Sequence, residues 1–379
     1  MSQPEDTAVD HDVSNTGGSA HVASSDPVRT LELVAIGLVG VLAAVMVGFI
    51  ALDWLRLYPY ADSYPFVESL YSAMRIDPVI GQLFDQLMIV GVWMDYYLGT
   101  NVFKHPFMWR SIATGVLIGI VAPLVGTYLV HRQMALIGET LAHTAFAGVA
   151  VGILVTGFTG FGGSLLFIAL IVSVIGALAV QWLTEQTSTF GDVPIAIMLS
   201  GSFAVGTLLI SWARGTVAVT IDIESFLFGT LAVVTPGGAR MMAVLSVAVV
   251  AIVAVTYKQL LFITFDEQAA RVAQFNVRGY NTLLVVMTAV VVVGAMQVLG
   301  VILVAGMLVI PVAAASQIAS SFRETLYLSI LIGQASVLGG FTFAISQSLP
   351  SGGSIIVVAI AFYLLAIALS DRSTSLSMH

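Results

Sequence analysis

TLLVVMTAVVVVGAMQVLGVILVAGMLVIPVAAASQIA, residues 282–319, carries no acidic, basic or histidine side chain. A helix needs about 20 apolar residues to cross a hydrocarbon core. The stretch is therefore read as two transmembrane spans, 282–299 and 301–319, with Gly300 between them.

The same window, moved outward, predicts further spans at 31–52, 110–131, 134–156, 163–183, 192–213, 240–262, 325–347 and 353–370. Composition agrees: 58% of the 379 residues are hydrophobic and 9% are charged, against roughly 25% charged in soluble domains. A soluble fold could not cover so much apolar surface. The fold class that follows is all-α, a polytopic transmembrane bundle of about nine core helices plus an extra N-terminal helix.

The formal charge of -8 is unevenly spread. Residues 1–30 hold Glu5, Asp6, Asp10, Asp12 and Asp26 against Arg29 alone, which reads as a disordered, solvated tail without the basic start of a signal peptide. After the span at 31–52, residues 53–109 are rich in Tyr, Trp, Pro and Asp and suit an external or interfacial position. The main transmembrane core is expected over 110–370, followed by a short tail, 371–379. Basic residues divide seven against six between the two faces and do not orient the bundle. The polar loop at 263–281 and the even number of spans place both termini on the cytoplasmic side.

Within this apolar chain, HRQMALIGETLAHTAFAG, residues 131–148, sets Glu139 and His143 four residues apart. That spacing puts both side chains on one helix face, about one turn apart. A carboxylate and an imidazole presented together make half of a divalent-metal site of the kind that zinc and manganese accept. The plainer alternative is a first-turn glutamate favoured by the helix dipole and a buried histidine bonded to a carbonyl. Ionisable groups within a span are costly, which favours a functional role.

Pro123 and Pro311 fall inside spans, where each removes a helical hydrogen bond and kinks the helix. FDEQAARVAQFNVRGYN, residues 265–281, is the most polar internal segment. Asp266 and Glu267 open a short helix there, Ala269 and Ala270 leave a small-residue surface, and Gly279 can close it; such a helix suits docking of a partner protein. Asp222, Glu224, His105 and His131 read as solvated or interfacial groups. The small-residue pairs Gly115 with Gly119, Gly148 with Gly152, and Gly201 with Ala204 allow helices to approach closely.

Absences narrow the function. There is no cysteine, so disulfides and thiolate metal sites are excluded. Neither Lys104 nor Lys258 follows a glycine-rich P-loop, and no HExxH or GxSxG motif is present. An enzyme survives these absences only as a remote reading.

Three ordered motifs carry a family resemblance. PFMWRSIATGVLIGIVAPLVGTYLVHRQMALIGETLAHTAFAGVAVG, IESFLFGTLAVVT and FDEQAARVAQFNVRGYNTLLVVMTAVVVVGAMQVLGVILVAGMLVIPVAAA together resemble the membrane permease subunit of ABC-type importers for zinc and manganese, from about Pro106 to Leu369. This chain has Glu139 where the family more often has aspartate, and Gln297 where a basic residue is common.

The resemblance implies a homodimer of permease chains in the cell membrane. A separate ABC ATPase would dock on 265–281, and an extracytoplasmic metal-binding protein would deliver the ion. Glu139 and His143 would be transit ligands for the transported cation, and Pro123 and Pro311 would shape the pathway. No covalently bound cofactor and no nucleic-acid partner are expected; membrane lipid surrounds the bundle. Two other readings stay open at this point: a permease for metal chelates, and an ion-coupled secondary transporter, which would show paired broken helices in repeated halves.

Overall fold

The structure, a computed structural model of the chain, describes residues 27–57, 76–160, 164–186, 193–216, 227–229 and 234–370. The acidic tail up to residue 26, residues 58–75, Asp222, Glu224, the side chain of Gln297 and the tail 371–379 lie outside the described residues. Twelve helices are described and no strand among them. They are α1 (Pro27–Leu57), α2 (Ile76–Leu98), α3 (Pro106–His131), α4 (Ala135–Thr159), α5 (Leu165–Gln186), α6 (Val193–Thr216), α7 (Pro236–Phe265), α8 (Glu267–Val272), α9 (Val277–Leu299), α10 (Val304–Ile318), α11 (Phe322–Gln347) and α12 (Ser351–Leu369).

Among the described residues, nine helices are long and apolar enough to cross a membrane: α1, α3, α4, α5, α6, α7, α9, α11 and α12. This is a multi-pass membrane protein.

Helix starts follow local chemistry. Pro106 and Pro236 sit in first turns, where the missing N–H costs no helical bond. Thr235 caps α7 by accepting from the Gly238 N–H at 3.1 Å, and Ser321 accepts from the Glu324 N–H at 3.3 Å at the start of α11. The tight link between α3 and α4 turns at Gln133, φ 57°.

The bundle is organised around α3, 89% of whose most apolar window is buried. Lipid tails are as apolar as the helices, so close packing, not burial alone, holds such a bundle together. Gly126 lies directly against the Leu308 backbone of α10, Gly119 against Gln334 and Gly333 of α11, and Gly115 against Phe341. Gly148 meets Ala169 and Val172 of α5. These small residues serve packing within one chain; Gly201, with no neighbour within 4 Å of an added Cβ, does not.

The second span expected in the opening stretch is only a fifteen-residue helix, α10. Gly300 adopts φ +78° and the chain turns through residues 301–303 before α10 starts. The break is filled from elsewhere in the sequence. The Ile302 N–H donates to the Leu227 carbonyl at 3.3 Å, Gly229 (φ +71°) packs against Gly300, and the Ser351 hydroxyl donates to the Val298 carbonyl at 2.8 Å. Non-helical backbone at this depth is tolerable because protein satisfies it.

Two poles result. The carboxyl ends of α3, α5, α7 and α10 and the amino ends of α4, α6, α9 and α11 gather around α8. His131 packs on Phe265 and Phe322, Arg278 pairs with Glu185, and Ser370 after α12 donates to the Gln317 carbonyl. At the opposite pole, Arg110 of α3 grips Asp53 near the end of α1 through Nε (2.7 Å) and Nη2 (2.9 Å). α2 joins there: Phe84 lies under Arg56 and beside Phe49. The Asp95 carboxylate accepts from the Thr100 hydroxyl and from the Val102, Phe103 and Lys104 N–H groups at 2.7–3.0 Å. Burial pushes this carboxyl up, but those four donors outweigh it and hold it at about 2.

Candidate functional site

Glu139 and His143 lie one and two turns into α4, counted from the pole that carries α8. At 1.5 Å per residue, that is about 6 and 12 Å along the helix from Ala135. Glu139 is exposed and His143 half-buried. The His143 ring stands edge-on against Phe203 of α6, centroids 5.0 Å apart at 76°. Neighbouring positions tie the two helices together: the Thr144 and Ser202 hydroxyls are 3.1 Å apart, and the Thr140 hydroxyl donates to the Ile195 carbonyl at 3.3 Å.

A buried histidine bonded to a carbonyl was the plain alternative for His143. Its Nδ1 is buried and has no hydrogen-bond partner, which a satisfied core histidine would not show. Leu136 and Glu139 are exposed on the same side of α4, so this face is not closed by the chain's own described helices. Among the described residues, no group of three or more His, Asp or Glu side chains could hold a metal ion. The chain itself offers two donors, and a cation held here would take the rest of its shell from water or from another molecule.

Pro123 and Pro311 both lie inside helices, α3 and α10. Pro123 lacks the N–H that would have bonded the Gly119 carbonyl, and Gly333 of α11 packs against both Pro123 and that carbonyl. The Thr127 hydroxyl donates to the Pro123 carbonyl at 2.7 Å and lies 3.1 Å from the Ser329 hydroxyl. The proline thus sits in a polar seam between α3 and α11.

The second site is the α8 pole. Asp266 caps α8, its Oδ1 accepting from the Ala269 N–H at 2.7 Å. Glu267 pairs with Arg271 at 2.6 Å and lies 3.6 Å from Arg132. Two expectations change here. Ala270 is fully buried against Ile263 and Val277, because one helical step from Ala269 turns it toward α7 and α9, so only Ala269 contributes surface. The residue that reverses the chain after α8 is Gln274, φ 64°. Gly279 lies in the first turn of α9, its N–H donating to the Asn276 side chain at 3.0 Å.

Sequence reading missed Arg132 and Asn281, joined at 2.6 Å, and the exposed Phe265 and Val272. Burial pulls the Arg132 guanidinium down from its ordinary value, and Glu267 acts against this. Arg132, Asn281, Glu267, Glu185 and Arg278 line a cleft of about 880 Å³ beside α8. His105 and His131 end up at helix ends, His105 stacked on Phe107 and His131 with Nδ1 2.8 Å from the Thr127 carbonyl.

Comparison with known proteins places this arrangement. The chain is 28% identical over 272 residues to the manganese transport system membrane protein MntC of Listeria innocua, covering 72% of this chain and 94% of that protein. It is 23% identical over 266 residues to the high-affinity zinc uptake system membrane protein ZnuB of Haemophilus influenzae, covering 70% of this chain and 98% of the relative. Among solved structures it resembles PsaBC from Streptococcus pneumoniae in complex with Fab, with a TM-score of 0.63 at 27% identity, over 72% of this chain and 95% of that one. Residues 104–370 match the family described as the ABC 3 transport family. That match covers most of the chain and leaves α1 and α2 outside it, so the chain is a member of the ABC 3 transport family of membrane permease proteins.

Proposed function

We propose that this chain is the membrane permease subunit of an ATP-driven importer that moves divalent metal ions, zinc or manganese, into the cytoplasm. The observation that carries the reading is the pair on α4: Glu139 exposed on the face its own bundle leaves open, and His143 one turn on, half-buried against Phe203, with a buried Nδ1 that has no partner. A second copy of the chain across that face would supply two more donors and close a pathway between the copies. Donors split between two separate chains suit transit, because moving the copies apart opens the shell and a carrier must release what it admits, whereas four ligands fixed on one chain would trap the ion. Imidazole with carboxylate suits both zinc and manganese; the relatives named above are described with manganese in one case and zinc in the other.

The α8 pole is the docking face for two copies of a separate ATPase, with Glu267, Ala269 and the Arg132 cluster as its contacts and Asp266 and Ala270 holding the helix in place. This makes that pole cytoplasmic. The described ends of the chain, the start of α1 and Ser370, lie at the same pole, which supports cytoplasmic termini. An extracytoplasmic metal-binding protein would deliver the ion at the opposite pole. ATP binding and hydrolysis would then shift the helices between outward and inward packings, with the Pro123 seam and the α9–α10 break as places where packing can change.

Uptake of zinc and manganese by cells expressing the chain, with and without the ATPase, tests the reading. ATPase-dependent uptake, competed by the free ions and not by their chelates, is expected. Uptake that persists in a strain lacking any such ATPase contradicts it.

A further inference from the structure

Outside the family match, α1 does not seal against the core along its whole length. Between α1, α5 and α7 lies a groove of about 740 Å³ at the pole opposite α8, lined by Val47, Ile50 and Trp54 of α1, Phe167 of α5, and Arg240 and Val244 of α7. Its volume falls in the roughly 300–1,000 Å³ range of small-molecule sites, and its walls are apolar apart from the one guanidinium.

That guanidinium defines the occupant. Arg240 is half-buried, and its Nε donates to the Pro236 carbonyl at 3.0 Å, which directs the side chain back along α7 toward the membrane surface. No carboxylate lies within ion-pairing distance of it among the described residues. A guanidinium at the mouth of an apolar groove, with no counter-ion among the described residues, favours an anionic group beside it. From Arg240 to Val247 the α7 wall runs about 10 Å inward, so a molecule filling the groove would carry an acyl chain below an anionic head.

We infer that the groove between α1, α5 and α7 holds one anionic phospholipid of the extracytoplasmic leaflet, its acyl chain along Val47, Phe167 and Val244 and its phosphate on Arg240. The lipid would then add to the Asp53–Arg110 pair in seating the extra helix on the core.

The test uses the full chain with its ATPase, incubated with equal amounts of phosphatidylglycerol and phosphatidylcholine in detergent, purified, and its retained lipid counted by mass spectrometry. About one phosphatidylglycerol per chain is expected, enriched about fivefold over phosphatidylcholine, the ratio one basic side chain contributes near an anionic surface. Arg240→Gln should abolish the enrichment and Arg240→Lys should keep it. Val244→Trp, at a position 69% exposed and so tolerant of bulk, should displace both lipids. Equal retention of the two lipids by the unmodified chain, or enrichment that survives Arg240→Gln, overturns the inference. So does a groove found filled by a segment of a second copy of the chain.

Discussion

The ion pair between Asp53 and Arg110 links α1 to the core, and its removal has a calculable cost. Both side chains are nearly withdrawn from solvent, at 5% and 14% exposure, and the guanidinium reaches both carboxylate oxygens. Asp53→Leu leaves a buried cation unpaired, which costs about 3–5 kcal/mol. Arg110→Met leaves the carboxylate buried and should cost a similar amount. The double substitution Asp53→Leu with Arg110→Met removes both charges and keeps apolar volume, so it should come out near neutral. With single costs of about 3–5 kcal/mol each and a near-neutral double, the cycle gives a coupling energy of about 6–10 kcal/mol. Unfolding of the purified chain by detergent titration, followed by loss of helicity, measures it. Additive single costs, each in the range of about 0–1 kcal/mol seen for exposed pairs, would refute the claim that this pair is a buried clamp.

Other outcomes follow from single positions. Gly126→Ala places a methyl against the Leu308 backbone, which cannot rotate away, and should destabilise by about 1–3 kcal/mol in a thermal melt, whereas Gly201→Ala, with open space around it, should be neutral or stabilising by about 0.5–1 kcal/mol. Arg132→Ala should sharply reduce ATPase recovered with the chain while leaving metal binding unchanged; full recovery would remove Arg132 from the docking face. Asp95, held at about 2 against an ordinary 3.8, contributes stability that is complete above its unfolded value and is lost as pH falls through about 2. Asp95→Asn should therefore flatten the pH dependence of stability over that window, and an unchanged profile would show that the carboxylate is not the group responsible.

What the sequence revealed depended on range. Glu139 and His143 were legible because their relation is local, four residues on one helix. That His143 Nδ1 has no partner and that Phe203 flanks the ring were not, since both depend on where α6 lies. Residues 282–319 read correctly as apolar membrane chain, yet the half-length α10 was hidden. The break at Gly300 is completed by Leu227–Gly229 and Ser351, contacts that no sliding window contains. Asp266 was recognised as a helix opener from its type and position. Ala270 was taken for surface because alanine carries no burial signal of its own, and the turn at Gln274 was missed because glycine, not glutamine, is the usual marker of a positive φ. Arg132, paired with Asn281 and Glu267 far along the chain, and Arg110, paired with Asp53, needed the fold.

Metal movement itself gives the most direct test of the Glu139 and His143 assignment. The chain and its ATPase, reconstituted in proteoliposomes with the metal-binding protein supplied on the outer side, would be assayed for ATP-dependent accumulation of zinc and manganese. His143→Ala and Glu139→Ala should each abolish accumulation while helicity and ATPase recovery stay at the unmodified level. Accumulation at the unmodified rate in both variants would contradict the account and leave the pair as ordinary members of the α4 surface.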